Sequence, residues 1–192
     1  ESNRLGAMKE LQSIKNINVK AFIHSLAFGT LKPMIDKDPT NQLKQKQIEM
    51  TTDVMSHSLI YWTQDLFNNK LLNENSQIIS MTSAGGNKQW KNYGAVSLAK
   101  SSLESATRQL ALELAPFKIA CNAIEAGVTI TAALEKIPGF QSMIDRTLKL
   151  NPHKRLTLPT DIANAVVMLC LHNTSWITGN TIKVDGGEAL TN

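Results

Sequence analysis

Three side chains near the middle of the chain could carry out acid–base chemistry together. Ser83 ends an apolar run, residues 77–83, which is typical of a buried parallel strand. Tyr93 and Lys100 lie at the start of a long amphipathic segment that predicts a helix over residues 94–114. At ~100° per residue, their spacing places Tyr93 and Lys100 on one helix face, roughly 10 Å apart along the axis. A nearby cation lowers the pKa of a phenol, so we predict that Tyr93 donates a proton beside Lys100 and Ser83.

The order Ser83, Tyr93, Lys100 after a mid-sheet strand resembles the active site of the short-chain dehydrogenase/reductase superfamily. Its commonest spacing, Tyr-x3-Lys, is not found here, because Val96 occupies the position of that tyrosine. The Tyr-x6-Lys spacing is instead similar to the divergent enoyl-acyl-carrier-protein reductases of bacterial fatty-acid synthesis. This resemblance implies that all three residues are catalytic, that Tyr93 meets the substrate and that Lys100 binds the ribose of a nicotinamide cofactor. The structural alternative is a helix in which Tyr93 only packs.

A turn near the N-terminus carries the same resemblance. The sequence His24-Ser-Leu-Ala-Phe28 is similar to the His-Ser-Ile-Gly/Ala-Phe of the enoyl reductases. It implies that the backbone at Leu26 and Ala27 lies along the cofactor and that Phe28 meets the substrate. We interpret His24 as a structural histidine.

A second loop follows the predicted strand at residues 118–127. By resemblance, its main chain and its threonine bind the nicotinamide carboxamide, so Gly127, Thr129 and Thr131 are expected to contact the cofactor. Val128 occupies the place of a proline that the enoyl reductases usually carry, which leaves the path of this loop open.

The C-terminal third resembles the substrate-binding part of the family. Residues 131–150 are expected to form a helical substrate lid with an apolar stripe, from which Phe140 contacts the substrate; ordinary core packing is the alternative interpretation of that stripe. The last predicted strand, residues 178–187, ends in Val-Asp-Gly-Gly, as the family does. The resemblance therefore extends over essentially the whole chain.

The elements alternate between helices and apolar strands, which predicts an α/β fold with a Rossmann-type doubly wound parallel sheet. Beyond the strands at residues 77–83, 118–127 and 178–187, a first strand is expected at residues 19–28. Three helices are expected besides the one that follows Ser83: residues 3–14, 42–66 and a segment from Thr160 to His172.

The Gly-rich turn that holds a cofactor diphosphate is not found among the ten glycines. By comparison with the family, the first three strands are also missing. We therefore expect residues 1–192 to be a single C-terminal portion of a reductase domain and to be inactive alone. The strand at residues 19–28 would then be an exposed sheet edge, a template for aggregation or for pairing with another chain.

Many family members have a catalytic asparagine in the helix predicted at residues 42–66. A gapless match places Met55 there. The enoyl reductases also lack that asparagine, so Met55 agrees with them and argues against the proton relay of ketone reductases.

Composition and charge exclude several classes. The net charge of +4 is spread without a dense patch and without interleaved aromatic residues, so nucleic acid is not expected as a partner. The longest apolar stretch is too short to cross a membrane. The two cysteines have neither disulfide nor metal-ligand spacing, so we expect no metal site and a cytoplasmic location.

The resemblance implies an NADH- or NADPH-dependent reduction of a trans-2-enoyl thioester, carried on acyl carrier protein, by a homo-oligomer that is a tetramer. The nucleotide, the acyl chain length and the choice between carrier protein and coenzyme A stay open. Two alternatives also stay open: a 3-oxoacyl or ketone reductase of the same superfamily, and a fragmentary, non-catalytic member.

Overall fold

The computed structural model describes residues 2–171 and 174–191. Within them the helices, numbered in chain order, are α1 Ser2–Ser13, α2 Gln45–Thr52, α3 Ser58–Asn68, α4 Gly94–Leu114, α5 Phe140–Leu150, α6 Pro159–Cys170 and α7 Glu188–Thr191. The strands are β1 Ala21–His24, β2 Gln77–Ser83, β3 Ala120–Ala126 and β4 Thr181–Val184.

The four described strands form one parallel sheet in the order β1-β2-β3-β4. Its centre is the pair β2 and β3, which runs in register from Gln77 opposite Ala120 to Ser83 opposite Ala126. All strands end at the same edge because they are parallel. The loops that follow β1, β2 and β3 therefore lie next to one another, which is where ligand sites of open α/β sheets are found.

Helices cover both faces of the sheet, because successive residues of a buried strand point to opposite sides. Ile78 packs into a core with Leu59 of α3 and Leu103 of α4. Its neighbour Ile79 packs on the other face against Leu169 of α6. The prediction of a doubly wound α/β sheet is confirmed by this arrangement.

Several boundaries differ from the predicted ones. The strand predicted at residues 19–28 pairs only as Ala21–His24, and the one at 178–187 only as Thr181–Val184. The helix predicted from Thr160 begins at Pro159 and ends at Cys170, and its predicted end, His172, lies outside the described residues. Both shortened strands have a single neighbour in the described sheet, so fewer ladder hydrogen bonds hold their ends extended.

The long helix predicted over residues 42–66 is interrupted. Five residues, Asp53–His57, form a π-helical turn between α2 and α3. Such a turn adds one residue to the helical ladder and changes which side chains face inward. It buries Met55 and Ser56 against α4, where the Ser56 hydroxyl donates to Ser102 Oγ at 2.9 Å.

Strand β1 pairs with β2 alone in the described part of the chain. One of its apolar side chains, Phe22, packs into the core with Trp62, whereas Ile23 on the opposite face is 45% exposed. The edge is therefore covered on one face only. Among the described helices, none is at once long and apolar enough to span a lipid bilayer.

Candidate active site

A cavity of about 660 Å³ opens at the carboxyl edge of the sheet. Ser83 reaches it from the end of β2, Tyr93 from the residue that precedes α4, and Lys100 from two helical turns further along α4. The three residues predicted to be catalytic thus line one cavity. Its volume falls within the ~300–1,000 Å³ that is usual for small-molecule sites.

Lys100 is buried and donates to a strand carbonyl. Only 6% of the residue is exposed, and its Nζ donates to the Met81 carbonyl oxygen at 2.6 Å. Burial lowers the pKa of Lys100 to about 8, against a smaller opposite effect of the nearby Glu104 carboxylate. The ammonium is therefore held at the strand end with little water around it.

Tyr93 and Ser83 approach each other across a glycine. A Cβ added to Gly85 would lie 2.5 Å from the Tyr93 ring and 3.3 Å from Ser83 Oγ. The hydroxyl of Ser83 is buried and has no hydrogen bond of ordinary geometry among the described residues. It still lies near enough to the phenol to lower the pKa of Tyr93 in part. Ser83 is therefore close to Tyr93 and keeps its hydrogen-bonding capacity for a ligand.

The predicted effect of Lys100 on Tyr93 is wrong in this structure. Burial raises the pKa of Tyr93, and only the Ser83 hydroxyl opposes that shift. The physical reason is the placement of Lys100, whose ammonium is hydrogen-bonded to Met81 and not to the phenol. Tyr93 is consequently protonated at neutral pH, which is the state that a proton donor needs.

The turn after β2 is fastened to α4 by hydrogen bonds from polar side chains of the helix and the strand end. Ser97 donates to the Gly85 carbonyl and Ser101 to the Gly86 carbonyl. One turn further along, Glu104 accepts from the hydroxyl of Thr82 at 2.6 Å. These bonds hold the strand end and the turn against the helix that carries Lys100, so they position the site without touching a ligand.

An apolar wall stands beside the catalytic side chains. Met55, from the π-helical turn, packs with Val96 and Ala99 of α4, and Leu31 and Tyr93 lie against this cluster. Met55 and Val96 also line the cavity. The position that holds a catalytic asparagine in ketone reductases is therefore buried and apolar here, as the sequence indicated.

The loop after β1 reaches the cavity only in part. Ala27 and Phe28 line it, whereas Leu26 does not, and 40% of Leu26 is exposed to solvent. The expectation for Leu26 concerned its backbone and stays a prediction, because the exposure of its side chain does not bear on it.

His24 is buried beside Lys100, and only one of its ring nitrogens has a partner. Its Nε2 lies 2.7 Å from Ser58 Oγ, and the Ser58 hydroxyl itself donates to the Val54 carbonyl. Nε2 must therefore be the donor, which leaves Nδ1 as a buried acceptor without a partner in the described residues. Burial, and then the charge of Lys100, lower the pKa of His24 to about 4. The histidine is neutral, and its ring ties β1 to α3.

The loop after β3 brings its three predicted cofactor residues to the cavity wall. Gly127, Thr129 and Thr131 all line the cavity. Gly127 permits a close approach, because a Cβ there would lie 2.4 Å from Thr157 Oγ1 and 2.9 Å from the Asp185 Cα. A larger residue would clash with Thr157 and Asp185 and displace the loop.

The predicted lid, residues 131–150, covers one side of the cavity with a 3₁₀ turn and α5. Leu134, Ile137 and Met143 line the cavity from this segment, whereas Phe140 does not. The expected substrate contact at Phe140 is therefore not supported by its position. Phe140 is the first residue of α5. The residues that line the cavity are Ile137, three positions before it, and Met143, three positions after it.

Other cavity residues were missed by sequence reasoning. They are polar or basic side chains outside the matched motifs: Lys88, Gln89, Lys136, Arg146 and Glu188. Glu188 follows the Val-Asp-Gly-Gly sequence directly, and this adjacency is the one signal that could have identified it. The part of the chain that the structure describes contains no cluster of three or more metal-ligating side chains.

A doubly wound parallel sheet with Ser83, Tyr93 and Lys100 on one cavity is the arrangement expected of a short-chain dehydrogenase/reductase. Residues 7–188 match the family described as enoyl-(acyl carrier protein) reductase, and the chain belongs to that family.

Individual relatives agree with this assignment. The chain is 31% identical to the enoyl-(acyl-carrier-protein) reductase (NADH) of Haemophilus influenzae and 28% identical to the enzyme of Staphylococcus aureus, which is named for NADPH. In each case the match covers 88% of this chain and less than two-thirds of the relative, 64% and 65%. The crystal structure of the Aquifex aeolicus enzyme superposes with a TM-score of 0.87 at 27% identity, over 98% of this chain and 72% of that one.

Proposed function

We propose that this protein reduces the carbon–carbon double bond of a trans-2-enoyl thioester with NADH or NADPH. The observation that carries the proposal is the convergence of Ser83, Tyr93 and Lys100 on one cavity, in a chain of the enoyl reductase family. The relatives named above reduce enoyl groups on acyl carrier protein, as their names state. The chain spans less than two-thirds of their length, so its activity and substrate are proposals that rest on its own cavity residues.

The cavity has polar groups that fit the nicotinamide end of such a cofactor. Ser83 Oγ is buried at the cavity wall beside the Tyr93 phenol and, among the described residues, has no hydrogen bond of ordinary geometry. Lys100 would bind the ribose by exchanging its Met81 carbonyl for a ribose hydroxyl. The Gly127 loop, with Thr129 and Thr131 on the cavity wall, would hold the carboxamide. No Gly-rich turn occurs in the sequence, so no residue is assigned to the diphosphate.

The nicotinamide, when bound, supplies the hydride for the β-carbon of the substrate. Tyr93 is protonated and lies at the cavity wall, so its hydroxyl would donate to the enolate oxygen that develops in the transition state. Ser83 would be a second donor to the same oxygen. Met55 and Val96 keep water away from the donors on one side, and the apolar lid residues would meet the acyl chain.

The partners follow from the same proposal. The substrate would be delivered on acyl carrier protein, and the chain would act in the cytoplasm as a homo-tetramer. Exposed apolar side chains on α2 and α4 support assembly, since Met50 of α2 is 42% exposed and Leu98 and Leu112 of α4 are 46% and 70% exposed. Light scattering at micromolar concentration tests this; a monomer would contradict it.

The decisive experiment compares substrates and nucleotides. The purified protein, both as residues 1–192 and as the complete product of its gene, is titrated with NADH and with NADPH by calorimetry. Oxidation of the nucleotide is then followed with crotonyl and with acetoacetyl thioesters. We expect the complete gene product to reduce the crotonyl thioester only, and residues 1–192 alone to be inactive. A preference for acetoacetyl would identify a ketone reductase, and a failure of the complete protein to bind either nucleotide would identify a non-catalytic member.

A further inference from the structure

Glu188 is brought back to the cavity by the turn that follows β4. The Asp185 carboxylate accepts from the amides of Gly187 and Ala189, each at 2.9 Å, and closes this turn. Gly186 and Gly187 have φ angles of +61° and +80°, which residues with a Cβ rarely adopt. The Asp-Gly-Gly sequence therefore reverses the chain, and the side chain of the next residue, Glu188, points to the cavity wall.

The carboxylate of Glu188 holds one peptide group of the loop after β3. Its Oε2 accepts from the Val128 amide at 3.0 Å, and the Val128 carbonyl accepts from the Thr157 amide at 3.1 Å. Just before it, the Gly127 amide donates to the Val184 carbonyl at 3.2 Å. The peptide groups at Gly127 and Val128 are thus anchored at the cavity wall, directly before Thr129 and Thr131, which line the same cavity.

The burial of the Glu188 carboxylate has a cost in free energy that its hydrogen bond must offset. Glu188 is 8% exposed, and burying a charge is unfavourable unless strong hydrogen bonds compensate it. A hydrogen bond to a charged group contributes about 1.5–3 kcal/mol, and an unpaired buried amide costs a similar amount. The hydrogen bond therefore satisfies both the loop amide and the carboxylate. An apolar side chain at position 188 would leave the Val128 amide without this acceptor.

We propose that Glu188 is a positioning residue for cofactor binding: its carboxylate holds the Val128 amide and thereby sets the loop that presents Thr129 and Thr131 to the cavity. The part of this inference that concerns the nicotinamide rests on the proposed function. The part that concerns the loop does not, because it follows from the hydrogen bond alone. Glu188 acts through Val128 and does not itself take part in the proton transfer assigned to Tyr93.

Two substitutions at Glu188 and one at Val128 separate these parts. Glu188→Gln keeps an oxygen acceptor without the charge, and Glu188→Ala removes the acceptor. Val128→Pro removes the donor, so it is the matched partner for a double-mutant cycle. Four kinds of experiment are made: titration for the Kd of NADH and NADPH, steady-state kinetics for kcat and KM with an enoyl thioester, thermal melting, and NMR hydrogen exchange of the Val128 amide.

We expect Glu188→Ala to raise the Kd of the preferred nucleotide about 10-fold, as loss of a charged hydrogen bond would, and Glu188→Gln about 3-fold. The kcat at saturating nucleotide should change less than about 2-fold, because positioning is restored once the cofactor is bound. Exchange of the Val128 amide should accelerate in both variants. In the Val128→Pro background, Glu188→Ala should add no further loss of nucleotide affinity.

Three results would overturn the inference. One is an unchanged Kd in Glu188→Ala together with a lower melting temperature, since that is a purely structural role. Another is that Glu188→Ala lowers nucleotide affinity equally in the wild-type and the Val128→Pro background. The third is an unchanged exchange rate at Val128, which decides the loop contact even if the wild-type protein binds neither nucleotide. Failure of wild-type binding would overturn the proposed function by itself, while faster exchange in Glu188→Ala would still support the contact.

Discussion

The floor and the lid of the cavity are held in different ways. The floor consists of the end of β2 and the start of α4, where Ser83, Tyr93 and Lys100 lie, and hydrogen bonds to α4 fasten it. The lid, residues 131–150, buries Leu134 and Ile137 but exposes much of α5. A hydrogen bond of 3.3 Å, from Trp90 Nε1 to the Pro138 carbonyl, links the lid to the loop between β2 and α4.

The difference between floor and lid indicates that proton transfer takes place at the floor and that the lid determines substrate selectivity. Groups that move a proton must be held within a fraction of an ångström, and buried strands and helices do this better than loops. Segments with few buried contacts open most easily, so they suit the admission of a flexible acyl chain. We therefore expect substitutions in the floor to change kcat and substitutions in the lid to change KM.

The largest effect is expected at Tyr93. Tyr93→Phe keeps the ring, which packs against Gly85 and the Met55 cluster, and removes only the proton donor. Loss of a general acid lowers kcat by ~10²–10⁴, while the Kd of the nucleotide should change less than about 2-fold. Steady-state kinetics with an enoyl thioester and a nucleotide titration measure the two. Near-full activity of this variant would remove Tyr93 from the assigned role.

The second effect concerns the stability of the floor and its pH dependence. Burial lowers the pKa of Lys100 from 10.5 to about 8, so the unfolded chain binds this proton more tightly than the folded chain. The stabilising contribution is therefore fully present above pH 10.5 and is lost as the pH falls through about 8. Its full size is on the order of 3 kcal/mol.

Urea unfolding of wild type and Lys100→Met across pH 7–11 tests this prediction. The free energy of unfolding of the wild type, relative to Lys100→Met, should rise between about pH 8 and 10.5. Taking the difference removes the groups that both proteins share. A flat difference over that interval would show that Lys100 is as solvated in the folded chain as in the unfolded one.

A smaller effect is expected from the turn that joins the two donors. Gly85→Ala would place a Cβ 2.5 Å from the Tyr93 ring, so the ring must move away from Ser83. Overpacking of this kind costs about 1–3 kcal/mol in stability, and we expect kcat to fall about 10-fold. Gly6→Ala is the matched control, since nothing lies within 4 Å of the added Cβ. Equal behaviour of the two variants would contradict a tightly held floor.

The floor was also the part that could be predicted best from the sequence. The bounds of β2 and α4 were predicted to the residue, because an apolar run with Ser83 at its end and a periodic helix stopped near Pro116 are local signals. The position of Lys100 on the Met81 carbonyl could not be predicted, since it depends on how deeply α4 sits on the sheet. Burial of Tyr93 itself reversed the expected shift in its pKa.

Other parts were predicted less well for physical reasons. The π-helical turn Asp53–His57 inserts one residue into an otherwise regular helix, and the apolar spacing of residues 42–66 fits both forms. Leu26 and Phe140 were assigned to the site from matched segments, and both assignments stay predictions; neither residue lines the cavity, because side-chain direction depends on the local backbone path. Glu188 was missed because its contact with the loop after β3 joins residues 60 positions apart in sequence.

The smallest effect is expected in the lid and tests its role directly. Met143 lines the cavity, whereas Phe140, three residues earlier on α5, does not. Met143→Ala removes apolar surface that would meet the acyl chain, so we expect the KM for a medium-chain enoyl thioester to rise about 3-fold with little change in kcat. For crotonyl thioester, whose chain is short, the KM should stay within about 2-fold.

Phe140→Ala makes the matched comparison. It removes a larger apolar side chain from the same helix, so a general weakening of the lid would affect it at least as much as Met143→Ala. If contact with the cavity determines the effect, the KM for the medium-chain substrate should rise more in Met143→Ala than in Phe140→Ala. Thermal melting then shows whether Phe140 stabilises the fold instead. A larger rise in Phe140→Ala would mean that the lid turns Phe140 inward when substrate binds, and the division between a fixed floor and a passive lid would then have to be given up.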